Sequence, residues 1–451
     1  MRIPFRMIEE IFHSLDRPDE PSSIQVELRV SGSLRERELR GALGAAVAAH
    51  PMALARKASR RILLRPARWE IGGLSAGEVL RSLHCDDESA LAAARAQFYS
   101  RPIDVERSPA LRLLLVHRPG GDSLLLGANH AVTDGVGSLR LLHSVARAYS
   151  GRPDPVPPVD PLEARDLQAQ FGHTVSGRPS NADRARPPAR TRSLLVPEGA
   201  DGEPGYGILL SALSVDQSRR LNPRRLVPTA TINDLLLASL HRAIAIWNAD
   251  RYQPCQTISV LMPVNLRPPE WRNEVVANLT LGGAILSTPE HRSTPESLLA
   301  AMTAQTRRVK AGDDFAAFLK KPLWVRKLLL TLLLARGTRS MDAAVLSNLG
   351  RIDDVPDFGA EAGEVTEFWF SPPVVMPMGL AIGAASLKGR LHLVMRYRRA
   401  LFDDRVALRF SDLFLNRLTE LTAGEPHDGS ADPGACPPSD GSPERQRIPS
   451  S

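Results

Sequence analysis

Residues 124–137 read Leu-Leu-Leu-Gly-Ala-Asn-His-Ala-Val-Thr-Asp-Gly-Val-Gly. The three leucines are a short apolar run of the kind that forms a buried strand, and the glycine at 127 begins the punctuation of a loop that leaves it. His130 therefore stands just past a rigid element. An imidazole titrates near neutral pH, so one fixed at a strand end can take a proton from an attacking hydroxyl or amine and later release it. Asp134 lies four residues on, directly before Gly135. On a tight loop its carboxylate can point away from the histidine, seek a cation and stiffen the loop.

The flanking segments frame this loop. Residues 111–116 and 123–127 are expected to pair as a hairpin across Pro119-Gly120-Gly121, and 136–149 reads as a helix. Upstream, 23–30 is a strand. Ser33 with Glu36 forms a capping box for a helix reaching about Ala49, with Leu39, Ala42, Leu43, Ala46 and Val47 on its buried face, and His50-Pro51 ends it. A strand near 61–64, a short helix opened by Ser75 and Glu78, and a helix over 88–99 complete a half in which strand and helix alternate.

From 151 to 199 the pattern dissolves into Pro, Arg, Ser and Asp, the composition of a surface linker. The second half opens with a strand over 207–214. Thr231 and Asp234 cap a helix in which Leu236, Leu240, Ala243, Ile244 and Trp247 recur at helical spacing. A strand over 257–262 feeds Pro263-Val264-Asn265-Leu266-Arg267, and Thr294-Pro295 starts a helix reaching about Lys310. A short strand at 344–347 runs into Asn348-Leu349-Gly350-Arg351, segments 384–387 and 391–397 pair across Lys388-Gly389, and 404–421 is the last helix. Residues 422–451, rich in Pro, Gly, Ser and charge, are expected to be disordered. The domain plan is therefore 1–150, a linker over 151–199, 200–421, and a tail over 422–451.

A chain of 451 residues exceeds one ordinary core, which agrees with two halves. Net charge is +7, with a basic run at Arg56, Lys57, Arg60, Arg61, Arg65 and Arg68. No aromatics are interleaved with these arginines, which argues against nucleic acid; the basic surface suits solvent, or an acidic partner such as a CoA phosphate or an acidic carrier protein. Cys85, Cys255 and Cys436 are odd in number and far apart, so neither a disulfide framework nor a zinc site is expected, and a reducing cytosol is. His84 beside Cys85 lacks a second ligand pair. Arg2, Arg6, Glu9 and Glu10 interrupt any signal-peptide core, and no run reaches the length of a bilayer span. The greasiest run, 328–335, is flanked by Arg326, Lys327 and Arg336. It reads as a buried helix; the alternative is a helix lining an acyl channel or resting on a membrane, with its basic flanks facing lipid phosphate.

The spacing of His130, Asp134 and Gly135 resembles the His-x-x-x-Asp-Gly signature of the CoA- and carrier-dependent acyltransferase superfamily. That group includes chloramphenicol acetyltransferase, the condensation domains of peptide synthetases, wax ester synthases and mycobacterial polyketide-associated acyltransferases. Four further stretches resemble it in the order the family shows. Thr231-Ile-Asn-Asp234 is similar to an Asn-Asp helix motif, although Asn233 and Asp234 are equally good helix-start residues. Met262-Pro-Val-Asn-Leu-Arg267, with Asn278 downstream, is similar to the segment whose arginine pairs with the signature aspartate. Ser347-Asn-Leu-Gly-Arg-Ile352 resembles the stretch lining the catalytic channel, and Arg390 to Arg399, with its Leu393-Val-Met-Arg-Tyr-Arg, resembles the closing strand.

The resemblance implies an α/β fold of two chloramphenicol-acetyltransferase-like lobes, arranged as a pseudo-dimer with the active-site channel between them. It implies acyl transfer from a thioester to a hydroxyl or amine, with His130 as general base and no covalent enzyme intermediate. Asp134 would orient the loop through Arg267, and Ser347 and Asn348 would be the candidate oxyanion donors. Asn129, Gly135, Arg267 and Asn278 are assigned to substrate binding. No metal and no bound cofactor are expected; acyl-CoA or an acyl-carrier phosphopantetheine is the co-substrate. Partners would be a small-molecule or lipid acceptor and an acyl-carrier protein, in the cytoplasm or at a membrane surface. Many members carry two adjacent histidines, and here the first is Asn129, so the loop's packing is expected to differ while the base is retained. Two readings stand beside this one: an amide-forming condensation enzyme acting on carrier-bound substrates, and a non-catalytic carrier-docking module of the same fold.

Overall fold

The leucine run forms the centre of a five-stranded sheet. In the computed structural model, Ser123–Asn129 lies between Ser23–Val30 and Leu111–His117, antiparallel to both. The model describes residues 1–18, 20–58, 67–72, 79–166, 192–199, 205–271, 273–312, 325, 342–375, 377–421 and 444–446. Every residue of the leucine strand is buried. Leu124, Leu126 and Ala128 pack against the helices Glu36–Ala49 and Gly135–Tyr149, while Leu125 faces the helix Glu88–Ser100 from the opposite side. A strand covered on both faces needs no alternation, which is why this one is written as a continuous apolar run.

Leu80–His84 extends the sheet at one edge, parallel to Leu111–His117. The opposite edge comes from far along the chain: Val365–Ser371 pairs antiparallel with Ser23–Val30. One strand of the second half thus completes the sheet of the first, across the boundary drawn at 151–199. Gly383, in the second sheet, permits this crossing, because a Cβ there would lie 1.8 Å from the carbonyl oxygen of Phe370.

The second sheet has eight strands. Thr280–Ser287, Thr257–Asn265, Ala344–Arg351, Leu380–Leu387, Arg390–Arg398, Tyr206–Ala212 and Glu444–Gln446 follow one another, and Arg192–Ser193 pairs with Thr257–Asn265. Helices Ile232–Ala249, Pro295–Ala311 and Asp404–Glu420 cover one face with a large apolar core. The other face turns Ile208, Leu210, Ala212 and Val394 toward Leu114, Leu125 and the helix Glu88–Ser100 of the first lobe. The two lobes meet there, sheet face toward sheet face.

Two sequence expectations are corrected. The helix Glu36–Ala49 has Arg35 at its N-cap without a side-chain cap, so Ser33 and Glu36 form no capping box. The free N–H groups find tertiary partners instead: Leu34 donates to Asp122 Oδ2 (2.7 Å) and Arg35 to the Tyr149 hydroxyl (2.9 Å), while Glu36 is held by Arg40 and Ser82. Glu444–Gln446, within the segment expected to be disordered, pairs with the edge strand Tyr206–Ala212. The 61–64 strand, Ser75 with Glu78, most of the linker, the greasy run 328–335, Cys436 and the remainder of the tail lie outside the described residues. Among the described residues, no helix is long and apolar enough to cross a membrane.

Candidate active site

The strand Ser123–Asn129 ends one residue before His130, whose backbone N–H donates to the Ser22 carbonyl at 2.8 Å. His130 as a residue is 6% exposed. Its Nδ1 lies 3.1 Å from the carbonyl oxygen of Thr133. The Thr133 carbonyl oxygen only accepts, and the Asn278 amide near the same atom already donates to the His130 carbonyl, so the proton of the neutral ring is assigned to Nδ1 and the lone pair to Nε2. Burial pushes the imidazole pKa down to about 4, against the opposing pull of Asp134 and of the Thr133 carbonyl. The ring is neutral at pH 7 and is a base through Nε2.

Asp134 is the N-cap of the helix Gly135–Tyr149, its Oδ1 accepting from the Gly137 amide at 2.8 Å. The rest of the carboxylate faces the second lobe. Arg267 grips it twice, Nη1 on Oδ2 at 2.8 Å and Nη2 on Oδ1 at 3.0 Å, and Oδ2 also accepts from the Leu279 amide (2.8 Å) and the Thr280 hydroxyl (2.9 Å). Burial acts against the charged form, but Arg267 and these donors outweigh it and hold the carboxyl below its usual range. The remaining Arg267 hydrogens go to the carbonyls of Val275 and Ala277 and to Asn265 Oδ1. Gly137 leaves room for this fork, since a Cβ there would lie 2.3 Å from Thr133 Oγ1 and 3.2 Å from Arg267 Nη2.

Asn278 comes to the same loop. Its Nδ2 donates to the His130 carbonyl at 2.5 Å and lies 3.3 Å from the ring Nδ1, while its Oδ1 accepts from the Thr280 amide at 3.2 Å. Ser347 is buried on the strand Ala344–Arg351, opposite Gly383. Asn348 accepts the Gly350 amide on Oδ1 at 2.8 Å. Leu349 then reaches the first turn of the Asp134 helix: a Cβ on Gly135 would lie 2.9 Å from Leu349 Cδ2 and 2.7 Å from Phe370 Cε2. Leu349, two residues beyond Ser347, is thereby brought beside the histidine loop.

Three residues expected to bind substrate have other work. Arg267 is enclosed and held by Asp134, Asn265 and two backbone carbonyls. Asn129, at the position where a first histidine is common, donates to Asp16 Oδ2 (2.6 Å) and the Ile103 carbonyl (3.3 Å) and accepts from the Ala131 amide (3.0 Å). Gly135 provides clearance for Phe370 and Leu349. All three set the shape of the loop. In the second lobe, Thr231 and Asp234 form the expected capping box, and Asp234 Oδ1 also accepts from Thr306 at 2.6 Å, so this motif starts a helix.

Phe12 was not legible as a site residue. It lies on the helix Met7–Leu15, and its ring covers the His130 imidazole with centroids 4.0 Å apart. Ile8, Phe12 and Leu15 do carry helical spacing, but charged neighbours obscure it. Buried Glu9 fixes this helix by accepting from Arg165 Nη1 (2.7 Å) and Trp69 Nε1 (2.8 Å). Among the described residues, no group of three or more His, Cys, Asp or Glu side chains could hold a metal ion.

Comparison with known proteins places the fold that carries this site. The uncharacterized protein Rv2305 of Mycobacterium tuberculosis is 33% identical over 433 residues, spanning 91% of this chain and 97% of the relative. No family model matches. The first condensation domain of the calcium-dependent antibiotic synthetase, solved with a substrate analogue, superposes with a TM-score of 0.72 at 15% identity, covering 94% of this chain and 97% of the domain. Trichothecene 15-O-acetyltransferase from Fusarium sporotrichioides gives a TM-score of 0.64 at 15% identity, covering 93% and 95%.

Proposed function

Because the chain belongs to the family of the Mycobacterium tuberculosis protein Rv2305 and has the two-lobed α/β fold of the CoA-dependent acyltransferase superfamily, we propose that it is an acyltransferase using a thioester donor. The observation that carries the reading is a buried, neutral His130 whose Nδ1–H is held by Thr133, leaving Nε2 as the base. Nε2 takes the acceptor's proton as its oxygen or nitrogen attacks the thioester carbonyl. The tetrahedral oxyanion is met by the Ser347 hydroxyl or the Asn348 amide. Collapse breaks the carbon–sulfur bond, and the departing thiolate takes the proton from Nε2. The thioester is already activated, so no acyl-enzyme is required. Asp134 and Arg267 act through the loop: they hold the histidine still and touch no reacting atom.

An amine acceptor follows the same steps. Condensation domains and an O-acetyltransferase both share this fold, so the amide-forming reading stands beside the ester-forming one. Both are tested together by incubating the purified chain with a ladder of acyl-CoAs and with acyl-carrier thioesters, each against pooled alcohols and pooled amines. The expected result is thiol release that requires an acceptor, an acylated acceptor in equal amount, and an unmodified protein mass. Acyl groups on the protein, or thiol release unaffected by acceptor, would overturn the mechanism. No thiol release from any donor would favour a carrier-docking module.

A further inference from the structure

Arg396 stands on the strand Arg390–Arg398, on the face turned toward the first lobe. Of Arg95, Arg396 and Arg398 along this junction, two have carboxylates. Arg95 presents Nε and Nη2 to Glu27 at 2.6 and 2.7 Å, and Arg398 meets Glu20 at 2.6 Å. Arg396 has neither. Its side chain is fully buried, Nη1 donates to the Ser23 carbonyl at 3.3 Å, and the guanidinium lies 4.2 Å from the centroid of the Tyr206 ring. Nε and Nη2 have no hydrogen-bond partner. This is the same edge with which Arg95 holds Glu27, the fork that matches a carboxylate with two parallel hydrogen bonds.

The electrostatics agree with that geometry. Burial lowers the Arg396 pKa to about 10, and the groups that oppose the shift are Tyr206 and Tyr99, neither of them a carboxylate. Arg112 is likewise lowered to about 10 by burial, then by Arg101 and by Arg396 itself, and its Nε also lacks a partner. Ser23 Oγ, buried on the facing strand, is a further hydroxyl without a partner. A buried charge without a counterion is unfavourable, and a second arginine near it adds to the positive potential.

The place is close to the base. Ser23, whose carbonyl takes Arg396, pairs across the sheet with Asn129, and the Ser22 carbonyl takes the backbone N–H of His130. The backbone that takes Arg396 is thus one strand pairing and one residue away from the residue that carries the base.

We propose that the Nε–Nη2 edge of Arg396 receives a carboxylate carried by a substrate of the His130 site. The word substrate rests on the acyl-transfer reading; the fork does not. The carboxylate could come from the acyl group or from the acceptor, and binding measured without turnover separates the two. Calorimetric titration compares succinyl-CoA with butyryl-CoA for the donor, and 4-hydroxybutyrate with 1-butanol for the acceptor. In one pair the carboxylate member is expected to bind wild type about tenfold tighter than its neutral match, and Arg396→Met is expected to abolish the difference. Equal binding within both pairs, or a difference that survives Arg396→Met, overturns the proposal.

Without ligand, Arg396→Met exchanges an unpaired buried charge for an apolar side chain of similar reach, so its urea midpoint is expected to match or exceed that of wild type. A markedly lower midpoint would make the guanidinium a structural element and also overturn the proposal. A chain inactive toward every thioester that still shows Arg396-dependent carboxylate binding would overturn the acyl-transfer reading alone.

Discussion

Arg267→Ala is expected to destabilise the protein by about 3–5 kcal/mol in a urea titration, because it strands the Asp134 carboxylate in an enclosed site with its charge partner gone. The pair is buried on both sides, with the Arg267 side chain 0% and the Asp134 side chain 2% exposed. Five hydrogen bonds converge on Asp134, two from Arg267, one from its own helix, and two from the Leu279 amide and the Thr280 hydroxyl. Removing the guanidinium also leaves the carbonyls of Val275 and Ala277 without donors. A double variant, Arg267→Met with Asp134→Asn, is expected to recover part of the loss, since neither side then buries an unpaired charge. If Arg267→Ala unfolded within 1 kcal/mol of wild type, the pair would not be the clamp between the lobes that its geometry describes.

The second large effect is on rate. His130→Ala is expected to lower kcat/KM for acceptor-dependent thiol release by about 10²–10⁴, the span associated with a positioned general base. The fold should survive, because the loop's anchors lie elsewhere: the Ser22 carbonyl and Asn278 hold backbone atoms at position 130, and Asp134 is held from the second lobe. A matched urea midpoint would separate this loss from misfolding. A variant retaining more than a tenth of the wild-type rate would remove His130 from the base role.

Much of this was legible in the sequence because the signals are local. The leucine run with its following histidine marked a doubly buried strand and the loop beyond it. Thr231 with Asp234, and Thr294 with Pro295, marked helix starts that the structure reproduces at Ile232 and Pro295. The Asp134 to Arg267 pairing followed from the resemblance and is present in the geometry. What was not legible is what depends on distant chain meeting distant chain. Nothing in 365–371 says that this strand joins the sheet of the first half: Phe368, Trp369 and Phe370 are buried in succession, and an apolar run carries no address. Phe12 reaches His130 only because Glu9 is drawn inward by Arg165 and Trp69, and in the sequence Glu9 is one more charge on a short helix. Ser33 satisfies the local rule for a cap, yet Asp122 and Tyr149 supply acceptors from elsewhere and the rule is not used.

The most direct test of the central claim is the pH dependence of kcat/KM for acceptor-dependent thiol release by the wild-type protein. Burial holds the His130 pKa at about 4, below the value of 6.5 for an unperturbed imidazole, and the base works only in its neutral form. The rate should therefore stay level from pH 7.5 down to about pH 5 and fall only as the pH approaches 4. A rate that drops in proportion to acid from about pH 6.5 downward would mean an exposed, unperturbed base, and would contradict the account of His130 as an enclosed imidazole with its proton fixed on Nδ1.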